Sequence, residues 1–208
     1  MARDTQSIVK MSRREGYALH PKAHKALVKR AGTPPGGHAT GRSMRNKPSQ
    51  YSLQLREKQK VKRLYGLLER QFSNLMKEAG RKEGQSGALL LQLLERRLDN
   101  VIYRSGLAPS RRAARQLTTH GHFMLNDRRV DIPSIRVKSG DVITLRDKSK
   151  QNEYFKRIDE TSPAGEENGA SWLKVNRKKF EITVTGLPPR EEAEPEINEQ
   201  LIVEYYSR

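Results

Sequence analysis

Cysteine is absent from all 208 residues. Its absence excludes disulfides, a thiol nucleophile and any cysteine-based zinc site. No run of about 18 apolar residues occurs, so no membrane-spanning helix is expected. Residues 1–10 include Asp4 and lack the apolar stretch of a secretory signal, which points to a cytosolic chain without a membrane partner. Aromatic residues make up only 6%, too few for a protein that stacks the successive bases of a single strand. With 34% hydrophobic and 31% charged residues, any core is modest. The length suits one domain of ordinary size or two small ones.

Acidic residues are scarce too, and unevenly placed. Lys and Arg number 41 against 24 Asp and Glu, a net +17. Residues 1–85 hold 20 bases and 6 acids, residues 86–150 hold 13 and 6, and residues 151–208 hold 8 and 12. Such a surplus repels itself in the compact state unless a polyanion neutralises it. Extended over the first two thirds of the chain, it suits a phosphate backbone better than a flat membrane. The competing reading is an incidentally basic, solvated surface.

Residues 1–47 read as an extended basic arm. Arg13, Arg14, Lys22, Lys25, Lys29, Arg30, Arg42 and Arg45 fall here, with a Gly/Pro break at residues 33–38. Apart from a short helix over 22–30, the arm has too few large apolar side chains to offset its ordering entropy and should settle only against a partner. From Ser49 the pattern turns helical, with Leu53 and Leu64 flanking Arg56, Lys58, Lys60, Lys62 and Arg63. A second helix is predicted over 69–79, where Phe72, Leu75, Met76 and Ala79 recur at three- and four-residue spacing before Gly80. Ser86 stands where an N-cap belongs, ahead of one long helix over 87–104. Its core stripe is Leu90, Leu94, Leu98 and Val101, with Arg96, Arg97 and Arg104 facing away and Gly106 as its stop. Ser110 caps a short helix over 111–119 that leaves through Gly121.

The period then changes to two. Phe123/Leu125 and Val130/Ile132 flank the pair Asn126-Asp127, a two-residue hairpin signal. Ile135/Val137, the turn Ser139-Gly140 and residues 142–145 repeat that plan. Residues 159–170 read as a loop, 172–175 and 180–184 as strands. The apolar tail 201–206 should dock on the body.

The informative constellation is Ser110-Arg111-Arg112-Ala113-Ala114-Arg115-Gln116-Leu117, followed by His120-Gly121-His122 and Asn126-Asp127-Arg128-Arg129. On a helix Arg111 and Arg115 share a face, and the hairpin tip adds Arg128 and Arg129. Guanidinium forks on a helix and an adjoining turn can straddle a phosphate ridge. The helix N-terminus at Ser110 can itself accept a phosphate. A solvated arginine face is the alternative. The histidine pairs His120/His122 and His20/His24 suit backbone or phosphate contacts better than a metal.

Residues 94–145 resemble the RNA-binding module of the small-subunit ribosomal protein S-four family, in the order helix, Ser-Arg-Arg-x-Ala-Arg-Gln-Leu helix, Asn-x-Arg hairpin, Gly-Asp turn. That module also occurs in pseudouridine synthases and tyrosyl-tRNA synthetases. Elsewhere the chain resembles the bacterial-type ribosomal family itself: at Leu55-Arg56-Glu57-Lys58-Gln59-Lys60, Tyr65-Gly66, Glu69-Arg70-Gln71-Phe72, Leu94-Glu95-Arg96-Arg97-Leu98-Asp99-Asn100-Val101 and Asn198-Glu199-Gln200-Leu201-Ile202-Val203-Glu204. Arg13-Arg14-Glu15-Gly16 and Pro34-Pro35-Gly36 carry the match to the amino end. It is thinnest at 17–33 and 150–195.

The resemblance implies an α+β fold: a split, mostly helical domain with an inserted RNA-binding module of a small helix pair and antiparallel β-hairpins, and an extended basic N-terminal arm. The boundaries it suggests are 1–47 for the arm, 48–95 completed by 176–208 for the helical domain, and 96–158 for the module. It implies a structural role in the small subunit, without catalysis or cofactor. Members bind the five-prime domain of small-subunit ribosomal RNA early in assembly, contact neighbouring small-subunit proteins, affect decoding accuracy and help line the channel through which messenger RNA enters. Messenger RNA is thereby a further implied partner. The RNA-binding residues expected here are Arg13, Arg14, Arg56, Lys58, Lys60, Lys62, Arg63, Arg70, Gln71, Ser110, Arg111, Arg112, Arg115, His120, Asn126, Arg128 and Arg129.

Two departures stand out. Zinc-bearing members have Cys-x-x-Cys just before Arg-Arg-Glu-Gly, and here Val9 and Ser12 occupy those positions, so no metal site is expected. The hairpin turn has Asp127 where Gly is usual; Asn-Asp still tolerates positive φ. Two rival classes stand against the family. One is an RNA-modifying enzyme, suggested by Arg97-Leu98-Asp99. But Asp99 precedes the module, too little chain follows Leu145 for a catalytic domain, and Asp99 is more simply an ion-pair partner for nearby arginines. The other is a free, heat-shock-type RNA binder, which lacks both the amino arm and the Asn-Glu-Gln-Leu-Ile-Val-Glu tail.

Overall fold

The computed structural model describes residues 4–30, 35–36, 48–162 and 170–207. The chain forms helices and an antiparallel sheet, an α+β protein, in two compact units: residues 1–89 with 196–208, and residues 90–195. No helix among the described residues is long and apolar enough to cross a membrane.

The first unit is helical. Helix α1 (Ile8–Glu15) ends at Gly16 in the left-handed region, φ 65°, which a residue without a Cβ adopts freely. A 3-10 turn (Pro21–Ala23) leads into α2 (His24–Lys29). Residues 4–30 therefore depart from the extended arm expected from sequence. Two things offset the ordering entropy. Met11, Leu19 and Ala23 are buried, and the carboxylate of Glu15, fully buried, takes ion pairs from Arg56 at 3.2 Å and from Arg63. That ionic tie is invisible to a count of apolar residues. The rest of the arm, residues 31–34 and 37–47 with most of the Gly/Pro break and Arg42 and Arg45, lies outside the described residues.

Helix α3 (Gln50–Leu64) starts where Ser49 accepts a hydrogen bond from the Ser52 amide at 3.3 Å, a normal N-cap. Helix α4 (Glu69–Ala79) buries Phe72, Leu75, Met76 and Ala79, the residues its spacing singles out. The carboxyl-terminal helix α11 (Glu199–Tyr206) packs on α3. Gln54 donates to Glu204 at 2.8 Å, the Asn198 amide to Glu57 at 2.9 Å and the Lys60 ammonium to the Glu196 carbonyl at 3.0 Å.

The long helix predicted over 87–104 is two helices, α5 (Ser86–Glu95) and α6 (Leu98–Arg104). Apolar periodicity runs straight through the break, so sequence does not reveal it. The peptide groups freed there are taken up by residues 133–137: Leu98 N–H donates to the Ile135 carbonyl at 2.8 Å and Val137 N–H to the Arg96 carbonyl at 2.9 Å. Arg97 and Arg136 form an isolated bridge. Residues 135–137 are thus spent on the helix break and do not pair with 142–145 as the second expected hairpin required. Nor do the three arginines face away: Arg97 is buried and Arg104 is ion-paired.

In the second unit, α6 and α7 (Arg111–Thr119) lie with a five-stranded antiparallel sheet of order β2-β1-β3-β5-β4. The strands are β1 (Phe123–Leu125), β2 (Arg128–Val130), β3 (Val142–Leu145), β4 (Leu173–Asn176) and β5 (Glu181–Val184). β5 pairs with β3, which carries this unit well past residue 158 and leaves only 196–208 for the first unit. One face of the sheet shares a core with α6 and α7 that includes Leu98, Ile102, Phe123, Ile143, Phe155 and Ile182. Short helices α8 (Asp147–Lys150), α9 (Glu153–Lys156) and α10 (Ile158–Thr161) follow β3. The expected loop over 159–170 is thus partly helical, and its residues 163–169 lie outside the described residues.

Candidate nucleic-acid interface

The hairpin between β1 and β2 is built as its sequence demands. Asn126 and Asp127 both take positive φ, 48° and 62°, as a two-residue turn of this hand requires. Asn126 offsets that conformation with side-chain bonds: its Oδ1 accepts from the Val142 amide and its Nδ2 donates to Asp141, each at 2.9 Å. Asn126 is therefore a structural turn residue that holds the tip against β3. Arg128 and Arg129 are left exposed on the edge strand β2, and neither has a carboxylate partner among the described residues. The Arg129 guanidinium lies against Gly121, where an added Cβ would come within 2.9 Å of Nε. That close approach joins the hairpin to the end of α7, next to exposed His120.

Helix α7 sorts its arginines in a way that spacing alone cannot. Arg111 Nη2 pairs with Glu194 at 2.6 Å, its Nε donates to Asn100 Oδ1 at 2.9 Å, and its guanidinium lies 4.6 Å from the Tyr103 ring centre. Arg115 pairs with Asp99 at 3.3 Å, and Arg97 holds the same carboxylate through two nitrogens at 3.1 and 2.8 Å. Arg104 grips buried Glu95 through two bonds of 3.0 Å. The face shared by Arg111 and Arg115 thus turns to acids on α6 and near the end of the unit. Ser110 is buried and its hydroxyl accepts from the Ala113 amide at 3.2 Å, the expected N-cap. Arg112, Gln116, Thr119 and His120 form the exposed side of the helix. His122 behaves differently from His120. It meets Ser149 at 3.0 Å and Phe155 edge-on, and burial, then His120 and Arg146, hold its pKa below the usual imidazole value.

In the first unit the bases of α3 are mostly neutralised internally. Lys58 is buried, 2.7 Å from Glu69 and 4.5 Å from the Tyr205 ring centre. Lys62 pairs with the same carboxylate at 3.0 Å, and Lys60 with Glu57 at 3.1 Å. Burial raises the pKa of Glu69, but hydrogen bonds from Lys58, Lys62 and the Tyr206 hydroxyl outweigh it and bring the value to about 2. Glu15 goes the other way: burial raises its pKa, and Arg56, Arg63 and Arg14 only partly oppose this. Gln71 Oε1 accepts from the Leu68 amide at 3.5 Å. Arg14 and Arg70 are exposed, and Arg13 is half-buried on α1. Among the exposed bases outside the expected set are Lys22, Lys25, Lys29 and Arg30, which surround α2 and have no ion-pair partner among the described residues. Their signal lies in the sequence, since residues 22–30 hold four bases and no acid.

Among the described residues, no three acidic or histidine side chains gather as a metal ion would need. The buried Ser12 hydroxyl donates to the Ile8 carbonyl at 2.9 Å and accepts from the Leu19 amide at 3.3 Å.

A helix pair with a small antiparallel sheet and outward-facing bases places the second unit among compact modules with a surface suited to nucleic acid. Comparison with known proteins specifies it further. The family description "Ribosomal protein S4/S9 N-terminal domain" matches residues 3–95, and "S4 domain" matches residues 96–143. The chain is 50% identical to the small ribosomal subunit protein uS4 of Herpetosiphon aurantiacus, 48% identical to that of Chloroflexus aurantiacus and 47% identical to that of Syntrophomonas wolfei, in each case over 100% of both chains. The chain belongs to the small ribosomal subunit protein uS4 family.

Proposed function

We propose that this protein is a structural constituent of the small ribosomal subunit, not an enzyme, and that it binds small-subunit ribosomal RNA directly. The observation that carries the reading is the sorting of its bases. Several bases that meet acids, among them Lys58, Arg97, Arg111 and Arg115, are buried or half-buried and brace each unit from within. Arg128 and Arg129 in one unit, and Lys22, Lys25, Lys29, Arg30 and Arg70 in the other, are exposed and have no ion-pair partner among the described residues. The exposed guanidinium groups at the hairpin of the second unit suit a structured RNA backbone, with His120 beside them as a further donor, and the exposed bases of the first unit suit the same chemistry. Of the residues expected from sequence, Lys58, Lys60, Lys62 and Arg63 then brace the first unit, and Ser110, Arg111, Arg115 and Asn126 brace the second.

The inserted arrangement, with one unit's chain interrupted by the other, is part of the same reading and is supported by the unit boundaries at residues 89 and 196. Neighbouring small-subunit proteins are partners on this reading. Nucleation of five-prime domain assembly, an effect on decoding accuracy and contact with incoming messenger RNA rest on the family resemblance. Sedimentation tests the core of the proposal. The protein should co-migrate with small subunits and remain bound through a moderate salt wash; recovery only at the top of the gradient would overturn it.

A further inference from the structure

The last third of the chain is acidic, yet its bases are not scattered. Residues 174–179 hold Lys174, Arg177, Lys178 and Lys179 with no acid, half of the 8 bases present among residues 151–208. They occupy edge strand β4 and the turn into β5, outside the residues matched by either family description.

This turn is rigidly built. Arg177 is tied down below it, donating to Asp159 at 2.8 Å and to the Gly106 carbonyl at 3.2 Å, with a further bond to the Ser162 carbonyl. Asn176 Oδ1 accepts from the Lys179 amide at 3.2 Å. Phe180 closes the turn at φ 53°, a left-handed conformation that is strained for a bulky side chain and persists only where its surroundings impose it. They do so here: the Phe180 ring meets Phe155 edge-on at 6.0 Å, and its carbonyl accepts from the Leu145 amide at 3.2 Å. Lys174, Lys178 and Lys179 remain exposed and without a carboxylate partner among the described residues. A lysine edge alone would serve to block strand-to-strand aggregation. Such an edge needs no strained, pinned turn. Pre-organisation lowers the ordering cost of binding a ligand that the charges select.

We infer that the β4–β5 turn is a second RNA contact, at the opposite edge of the sheet from the Arg128/Arg129 hairpin, in which Lys174, Lys178 and Lys179 engage the phosphates of a separate segment of ribosomal RNA. The inference rests on the RNA-binding reading above. Its test is the salt dependence of filter binding between the full chain and naked small-subunit ribosomal RNA, with the triple variant Lys174→Gln/Lys178→Gln/Lys179→Gln beside the parent. The slope of log affinity against log salt should be shallower by about 2–3 in the variant. The triple Lys→Arg variant should keep the parent's slope. Equal slopes for the parent and the Gln variant would overturn the inference while leaving RNA binding intact. So would unchanged RNA binding by the Gln variant together with weakened retention on assembled subunits, which would make the turn a protein-binding surface. A parent that binds without salt dependence would overturn the underlying reading, and this inference with it.

Discussion

Arg111 and Arg128 carry the same guanidinium in opposite surroundings. Arg111 is enclosed by Glu194, Asn100 and the Tyr103 ring, whereas Arg128 stands exposed on an edge strand. Truncating Arg111 to Ala would leave buried acceptors unsatisfied, at a cost of about 1–3 kcal/mol. The expected result is a lower urea midpoint; an unchanged one would mean that these inward bonds contribute nothing. The double replacement Arg128→Ala/Arg129→Ala should leave stability within about 0.5 kcal/mol and make the salt slope of RNA binding shallower by about 1 for each phosphate left without its guanidinium. Unaltered RNA binding would return the hairpin to an ordinary solvated edge. Glu69 gives a test through pH. Its folded pKa of about 2 lies below the ordinary 4.5, so the unfolded chain takes up the proton first as pH falls. Its stabilising contribution is complete above pH 4.5 and is lost as the pH falls toward 2. Glu15, whose pKa is raised, changes stability in the opposite sense. Comparing denaturation at about pH 5 and about pH 2.5, on either side of the ordinary carboxylate range, Glu69→Gln should lose less stability than the parent; equal losses would remove Glu69 from the acid response.

At the scale of elements, what could be read in the sequence followed from local chemistry. Ser110 with Gly121, the 69–79 periodicity and the Asn126-Asp127 pair each specify a structure within a few residues, and each formed as expected. The missed features depend on distant partners. The break at residues 96–97 exists because residues 133–137 supply its hydrogen bonds. The order in α1 depends on Glu15 meeting Arg56 and Arg63. The inward turn of Arg111 and Arg115 depends on Glu194 and Asp99; the ion pairing of Asp99 was legible, the burial of its arginines was not. The few aromatic residues are likewise concentrated: Phe155 meets His122, Phe123, Tyr154 and Phe180 edge-on, between 5.1 and 6.2 Å. Removing that hub with Phe155→Ala should cost about 3–5 kcal/mol, read as a fall in the denaturation midpoint. A change below about 1 kcal/mol, the size of an ordinary substitution, would show that the sheet and its helices do not depend on the cluster.

For the whole molecule, charge that is intolerable in isolation becomes an affinity. Residues 1–150 carry a net +21 and residues 151–208 a net −4, and two acids of that last stretch serve as internal counter-charges: Glu194 for Arg104 and Arg111, Asp159 for Arg177. The outward bases that remain are a ready counter-surface for phosphate, and their binding free energy comes largely from the release of counterions. The most direct measurement is a filter-binding titration of the full chain on naked small-subunit ribosomal RNA across a range of salt. If about 6–10 phosphates are neutralised, affinity falls by roughly 10³–10⁵ between about 50 and 200 mM salt, on the scale established for duplex nucleic acid. An affinity that stays flat across that range would contradict direct recognition of the RNA backbone by these bases.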